Sequence, residues 1–247
     1  MGMAATAATA ADDEGWSGEL SASLTQQSGT TDSFAGSIDA KGTRTWEKDV
    51  ASIRFSGVYG TTRQRGNATN DEVTQNSQAL LGNWKRTIHE RFFWDSNSEL
   101  SRDNIQDREL RAALSTGPGY RVWAGEDDKK SHFDLSTGIG YRYELYDGNT
   151  GAAVNTGDED HFVDLVAAFE YKNLLFDDKI EFTHTGTAKM PANAVDQYIL
   201  STELILGVPL TEAWSLRAGF FAEYIAVQPR GINNTTTRTT IGLGYKF

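Results

Sequence analysis

The chain has 247 residues, no cysteine, a mean hydropathy of -0.48 and a formal net charge of -11. An even composition over that length fits one domain, the missing cysteine removes disulfide and thiol chemistry, and the acidity disfavours nucleic acid and anionic surfaces as partners. No apolar stretch approaches the ~18 residues of a spanning helix, which excludes helical membrane proteins but not barrels, whose strands are half polar.

Residues 1–14 are rich in Ala and Thr and then acidic, with neither a basic start nor an apolar centre. They read as a flexible N-terminal segment and not as an intact signal peptide. From 15 to 247 the sequence reads as a single domain. Alternating segments there predict twelve strands, at 16–27, 32–46, 49–63, 72–88, 91–104, 107–124, 131–147, 159–172, 178–188, 195–209, 213–227 and 235–247. They exceed the roughly 5–6 residues of an ordinary strand and match the ~9–11 that cross a bilayer at a tilt. The fold class is therefore all-β: an antiparallel, up-and-down transmembrane barrel of about 12 strands.

The two faces of each strand differ sharply. Leu110, Leu114, Tyr120 and Val122 oppose Arg111, Ser115, Gly117 and Arg121. Phe133, Leu135, Ile139, Tyr141, Tyr143 and Leu145 oppose Asp134, Ser136, Gly138, Gly140, Arg142 and Glu144. Val163, Leu165, Ala167, Phe169 and Tyr171 oppose Asp164 and Glu170, and Leu216, Ala218 and Phe220 oppose Arg217 and Gly219, with Glu223 further along. In a lipid-embedded barrel the oily face looks outward and the ionic face lines the lumen. The main lumen candidates are Arg111, Arg121, Asp134, Arg142, Glu144, Glu170, Arg217 and Glu223. Glu19, Asp39, Lys41, Arg54, Asp95, Glu99, Asp164, Glu181, Glu203, Arg238 and Lys246 join them. Enclosed charges must be paired or hydrated. They either cross-link into a plug or line a water-filled pore, where an acidic excess would favour cations.

Connections alternate in length. Short ones fall at 47–49, 89–90, 173–178 and 209–212, with 125–130 the longest of that set. Longer ones, rich in Gly, Asn and Thr, fall at 63–71, 147–160, 188–195 and 228–235. Short turns on one rim and long loops on the other are the asymmetry of an outer-membrane barrel. Both termini then lie on the short-turn, periplasmic rim. Aromatics such as Trp16, Trp46, Trp84, Trp94, Trp123 and Trp214 gather near that rim, as an interfacial girdle would. A soluble sandwich or lipocalin-like barrel is the alternative, and it would bury the apolar face.

Groups suited to chemistry are sparse. His132, Asp134 and Ser136 share a face, but same-face strand neighbours stand ~7 Å apart, too far for a Ser-His-Asp relay. A barrel hydrolase acting on lipid or peptide is the enzyme alternative. The run Asp158, Glu159, Asp160 and His161 has the oxygen donors of a divalent-cation site but reads as a solvated loop tip. No catalytic residue, cofactor or metal is expected.

The last strand alternates cleanly, with Ile241, Leu243, Tyr245 and Phe247 on one face and Gly242, Gly244 and Lys246 on the other. Outer-membrane barrels commonly end in this way, so the strand reads as the signal taken up by the barrel-assembly machinery, and outer-membrane lipid as the second partner. Taken with Trp16-Ser-Gly-Glu-Leu-Ser-Ala-Ser, Arg108-Glu-Leu-Arg, Gly117-Pro-Gly-Tyr-Arg121 and Gly138-Ile-Gly-Tyr-Arg142, this terminus resembles the salt-induced outer-membrane proteins. These are Gram-negative barrels grouped as a domain of unknown function. The resemblance implies an outer-membrane barrel with no established enzymatic activity and no catalytic residues to carry over. The expected function is a narrow passive pore, or a structural envelope protein linked to osmotic or salt stress.

Overall fold

The computed structural model describes residues 15–27, 31–64, 72–125, 130–146, 159–227 and 233–247. The N-terminal segment 1–14, Asp158 and most of the longer loops lie outside the described residues. Twelve strands follow in order: β1 (Trp16–Gln27), β2 (Thr31–Thr45), β3 (Asp49–Gln64), β4 (Glu72–His89), β5 (Phe92–Asp103) and β6 (Arg108–Ala124). Then come β7 (His132–Tyr146), β8 (Glu159–Leu175), β9 (Ile180–Pro191), β10 (Ile199–Pro209), β11 (Trp214–Ile225) and β12 (Thr235–Lys246). Each pairs antiparallel with its chain neighbours, and β1 pairs with β12 to close the barrel. The twelve strands, their direction and the closure agree with the sequence pattern.

Three boundaries differ by more than a residue or two, one of them the end of β9, which runs to Pro191 instead of 188 because Met190 and Pro191 still pair with Leu165 and Asp164. β8 continues to Leu175, so the turn occupies 176–179, where Lys179 N–H donates to the Leu175 carbonyl and Phe176, Asp177 and Asp178 all take positive φ. The β10 strand starts at Ile199 because 192–198 form a turn, held by Ala192 N–H to the Val163 carbonyl and by the Asn193 side chain.

The radial sorting is inverted relative to a soluble protein. Leu114, Ile139, Leu165 and Ile241 are exposed on the outer wall, whereas Arg111, Asp134, Arg142, Glu144 and Asp164 are buried within. A lipocalin-like barrel would show the opposite. Tryptophans crowd the short-turn rim, where Trp16, Trp84, Trp94, Trp123 and Trp214 face outward. A second outward cluster marks the other rim: the Tyr141 hydroxyl and His161 Nδ1 are 2.5 Å apart, with the Tyr143 ring tilted against the same imidazole at 5.2 Å.

The wall is not uniform. Between β6 and β7 the ladder skips from Thr116↔Ile139 to Gly119↔Ser136. Pro118 has no N–H to donate, and the β7 backbone closes directly onto Gly117, so a Cβ there would collide with the Thr137 carbonyl and Gly138 Cα. Gly119 leaves room for the Phe93 ring. The seam between β1 and β12 is the shortest ladder, running only from Glu19↔Lys246 to Ser23↔Gly242, with Gly18 and Phe247 exchanging backbone bonds just outside it.

Candidate functional site

The strands together enclose a lumen, and its charges meet across the barrel axis. Nearest the short-turn rim, Lys85 on β4 reaches Asp134 on β7 and Glu170 on β8, at 3.0 Å each. Arg121 binds Asp134 at 2.8 Å and Lys172 binds Glu170 at 2.7 Å. Next, Arg54 on β3 spans the interior to Glu203 on β10 through two parallel bonds of 2.7 and 2.9 Å, while its Nε holds Asp39 at 2.6 Å. Towards the long-loop rim, Lys189 on β9 reaches Glu99 on β5 at 2.9 Å.

Arg111, only 1% exposed, is the hub of this upper layer. It binds Glu144 at 2.5 Å and approaches Glu223 at 3.5 Å and Glu99 at 3.9 Å. Arg142 links Glu144 and Asp164, at 3.0 Å each, and lies 4.0 Å from the centre of the inward Phe162 ring. The β5–β6 turn folds inward above them. Its Gln106 accepts from Arg108 and donates to Thr236 on β12, directly across the barrel. Arg217 pairs with Glu19, and Lys246 with Glu181 at 2.6 Å, near the seam. Pairing of this kind is what makes enclosed charge tolerable, since a stranded ion in low dielectric costs far more than its partner returns.

All eight main lumen candidates from the sequence face this interior. The expectation of an acidic lumen does not hold. Lining acids are matched by Lys or Arg within 4.0 Å or saturated by neutral donors, as Asp95 is by Asn83 and Asn97. The excess acid is exposed on the rims, at Glu47, Glu90, Asp177, Asp178, Glu212, Glu109 and Asp196. Lys85, Lys189, Arg108 and Gln106 are lumen members that the alternation did not identify. Lys85 and Lys189 share parity with lining neighbours on their strands and were findable on that basis. Arg108 was not, because a register shift between Arg108 and Leu110 turns both Arg108 and Arg111 inward although they are three residues apart.

Between the layers lies a chamber of about 500 Å³. It exists because β6, β7 and β8 place small residues there: Ala113, Ser115 and Gly117, then Ser136, Gly138 and Gly140, then Ala168. Arg54 and Glu203 separate it from a smaller void of about 80 Å³ against β1, β2, β11 and β12. The His132, Asp134 and Glu170 side chains bring ligand-type atoms within 4.8 Å of one another. The Lys85 ammonium already stands between the two carboxylates, where a cation would sit, so this group does not fit a metal. Glu159 and His161 face outward in solvent, 3.9 Å apart. The outward residues Ile241, Leu243, Tyr245 and Phe247 are all exposed on one side of the closing strand.

The family described as Protein of unknown function, DUF481, matches residues 20–247. The chain belongs to that family. A comparison of this DUF481 barrel with curated protein sequences finds no match. Among solved structures it is similar to the translocator domain of the autotransporter NalP from Neisseria meningitidis, with 13% identity over 94% of this chain and 87% of that one and a TM-score of 0.49. It is also similar to an outer membrane channel from Pseudomonas putida F1, with 10% identity over 94% of each chain and a TM-score of 0.48. The NanC porin gives 13% identity over 92% of this chain and 96% of that one, with a TM-score of 0.45. Identities this low carry no functional assignment to the DUF481 barrel.

Proposed function

We propose that this barrel resides in the bacterial outer membrane and serves as a narrow passive pathway for small solutes, without catalytic activity. The observation that carries the reading is the chamber of about 500 Å³, kept open by Gly, Ala and Ser on β6–β8 inside a lumen otherwise spanned by ion pairs. Interiors gain stability by close packing, so space held open at the cost of packing points to use. The membrane assignment is supported by the many large apolar side chains exposed on the outer wall, and by a sheet closed through β1 and β12, as hydrocarbon requires of a spanning sheet. Outer-membrane lipid is then its first partner. The barrel-assembly machinery is the second, reading the oily face of β12 at Ile241, Leu243, Tyr245 and Phe247. The absence of catalysis is supported by the pairing of Asp134 and Glu170 with Lys85, which leaves His132 beside carboxylates already committed to cations. The sequence resemblance supports a role under osmotic or salt stress.

Planar bilayers test the pore. Small discrete conductance steps are expected, and Arg54→Ser, which removes the brace between the two voids, should enlarge them. Silence from both proteins at high insertion would reject the pore. It would favour a second reading, a closed envelope component, for which the ion pairs joining opposite walls already argue.

A further inference from the structure

We propose that the chamber binds a small hydroxylated organic anion, its acidic group held at the long-loop end by Arg108, with Arg238 a second cation on the same wall. Arg108 is 5% exposed and lines the chamber, yet its only hydrogen bond among the described residues goes to the neutral Gln106 amide, at 2.8 Å. Among the described residues its Nε has no acceptor, and neither does Nη2 of the neighbouring Arg111. Arg238 also lines the chamber. It lies over the Phe221 ring at 5.1 Å and, among the described residues, has no carboxylate within 4.0 Å. Buried guanidinium groups are almost always paired or hydrogen-bonded, so the unused donors of Arg108 and Arg111 on one cavity call for acceptor oxygens, and the half-buried Arg238 adds positive charge to the same wall.

The acids lining the same space make no such demand. Asp95 takes two amide donors, and Asp103 accepts the backbone N–H groups of Ile105 and Gln106. Carboxylate and phosphate match the fork of a guanidinium. The remaining wall offers hydroxyls, from Ser52, Ser115, Ser136, Thr187 and Ser201, with the Phe93 ring near the floor. Hydroxyls and a ring face suit a polyol body. A volume of about 500 Å³ falls within the ~300–1,000 Å³ of small-molecule sites. The inference goes beyond the pore reading and is tested without transport, so either can fail alone.

Equilibrium dialysis of the full chain folded in detergent, at low ionic strength, would use glucuronate, glucose 6-phosphate and glucose. At least one anion should bind, with glucose at least tenfold weaker, and the better anion tells carboxylate from phosphate. Arg108→Gln should weaken the bound anion at least tenfold and Arg238→Gln by several-fold. Arg86→Gln, outside the chamber, should leave it unchanged. Unheated gel mobility reports whether each variant is a closed barrel, and Arg108→Lys serves if Arg108→Gln is not. Glucose binding equal to the anions, binding of neither anion, or full affinity in folded Arg108 and Arg238 variants would overturn the proposal.

Discussion

Replacing Glu144 by Gln removes one charge from the most enclosed part of the lumen while keeping its shape. Glu144 holds Arg111 at 2.5 Å and Arg142 at 3.0 Å and accepts from the Tyr146 hydroxyl at 2.7 Å. Removing one partner of a buried pair costs ~3–5 kcal/mol when the other is stranded. Neither arginine is stranded here, because Arg142 keeps Asp164 and Arg111 keeps the longer contacts to Glu223 and Glu99. What changes is that two ion pairs become bonds from a charged guanidinium to a neutral amide oxygen, each weaker by roughly 1–1.5 kcal/mol. The expected loss is therefore about 2–3 kcal/mol. Lys246→Gln is the reference: its pair with Glu181 is 2.6 Å long, but both side chains are 41% exposed, so solvent screening limits it to below ~1 kcal/mol. Denaturant titration of the lipid-embedded barrel, followed by tryptophan fluorescence, measures both. A loss at Glu144 no larger than at Lys246 would mean that water screens the upper layer, and the argument from burial would fail.

Three further outcomes follow from the wall. Leu165→Arg, at a position 55% exposed on the outer face, should cost ~2–4 kcal/mol if it lies near the bilayer midplane; the same titration giving under ~1 kcal/mol would argue against lipid there. Gly117→Ala should destabilise by ~1–3 kcal/mol, because the new methyl meets backbone that cannot yield. Gly57→Ala, whose Cβ would meet Ile38 and Phe55 at an ordinary 3.6 Å, should be neutral, and equal effects would remove the close approach as the cause. Replacing Tyr245 and Phe247 together by Ser should lower outer-membrane insertion in cells while leaving refolding into detergent intact, and unchanged insertion would refute the assembly role of that face.

Alternation made the fold legible because a lipid-facing barrel imposes a strict period of two along most of its strands. On β7, Leu135, Ile139 and Tyr141 could face only one way once Asp134, Arg142 and Glu144 faced the other. The same rule fails wherever a bulge shifts parity, which is why Arg108 escaped it and why Val122 and Trp123 are both exposed. On β9 Lys189 shares its parity with Glu181, Thr183, Thr185 and Thr187, opposite Ile180, Phe182, His184 and Met190, so the same rule reaches it. The pairing itself was out of reach. Arg54 and Glu203 are 149 residues apart, and their meeting depends on stagger around a closed sheet, which no local pattern encodes. The chamber was hidden for the same reason: the sequence places Gly117 and Gly140 on the inner face of their strands, and only the assembled wall turns them into volume.

The short junction between the first and last strands has a consequence for how the cylinder comes apart. Five facing residue pairs hold it, against eleven between β10 and β11, so thermal opening should start there, as a zip parts at its tab. Once that edge peels, Arg217 loses Glu19 and the cross-struts lose their opposite anchor. A wall stiffened from within then gives way as one piece instead of fraying hairpin by hairpin.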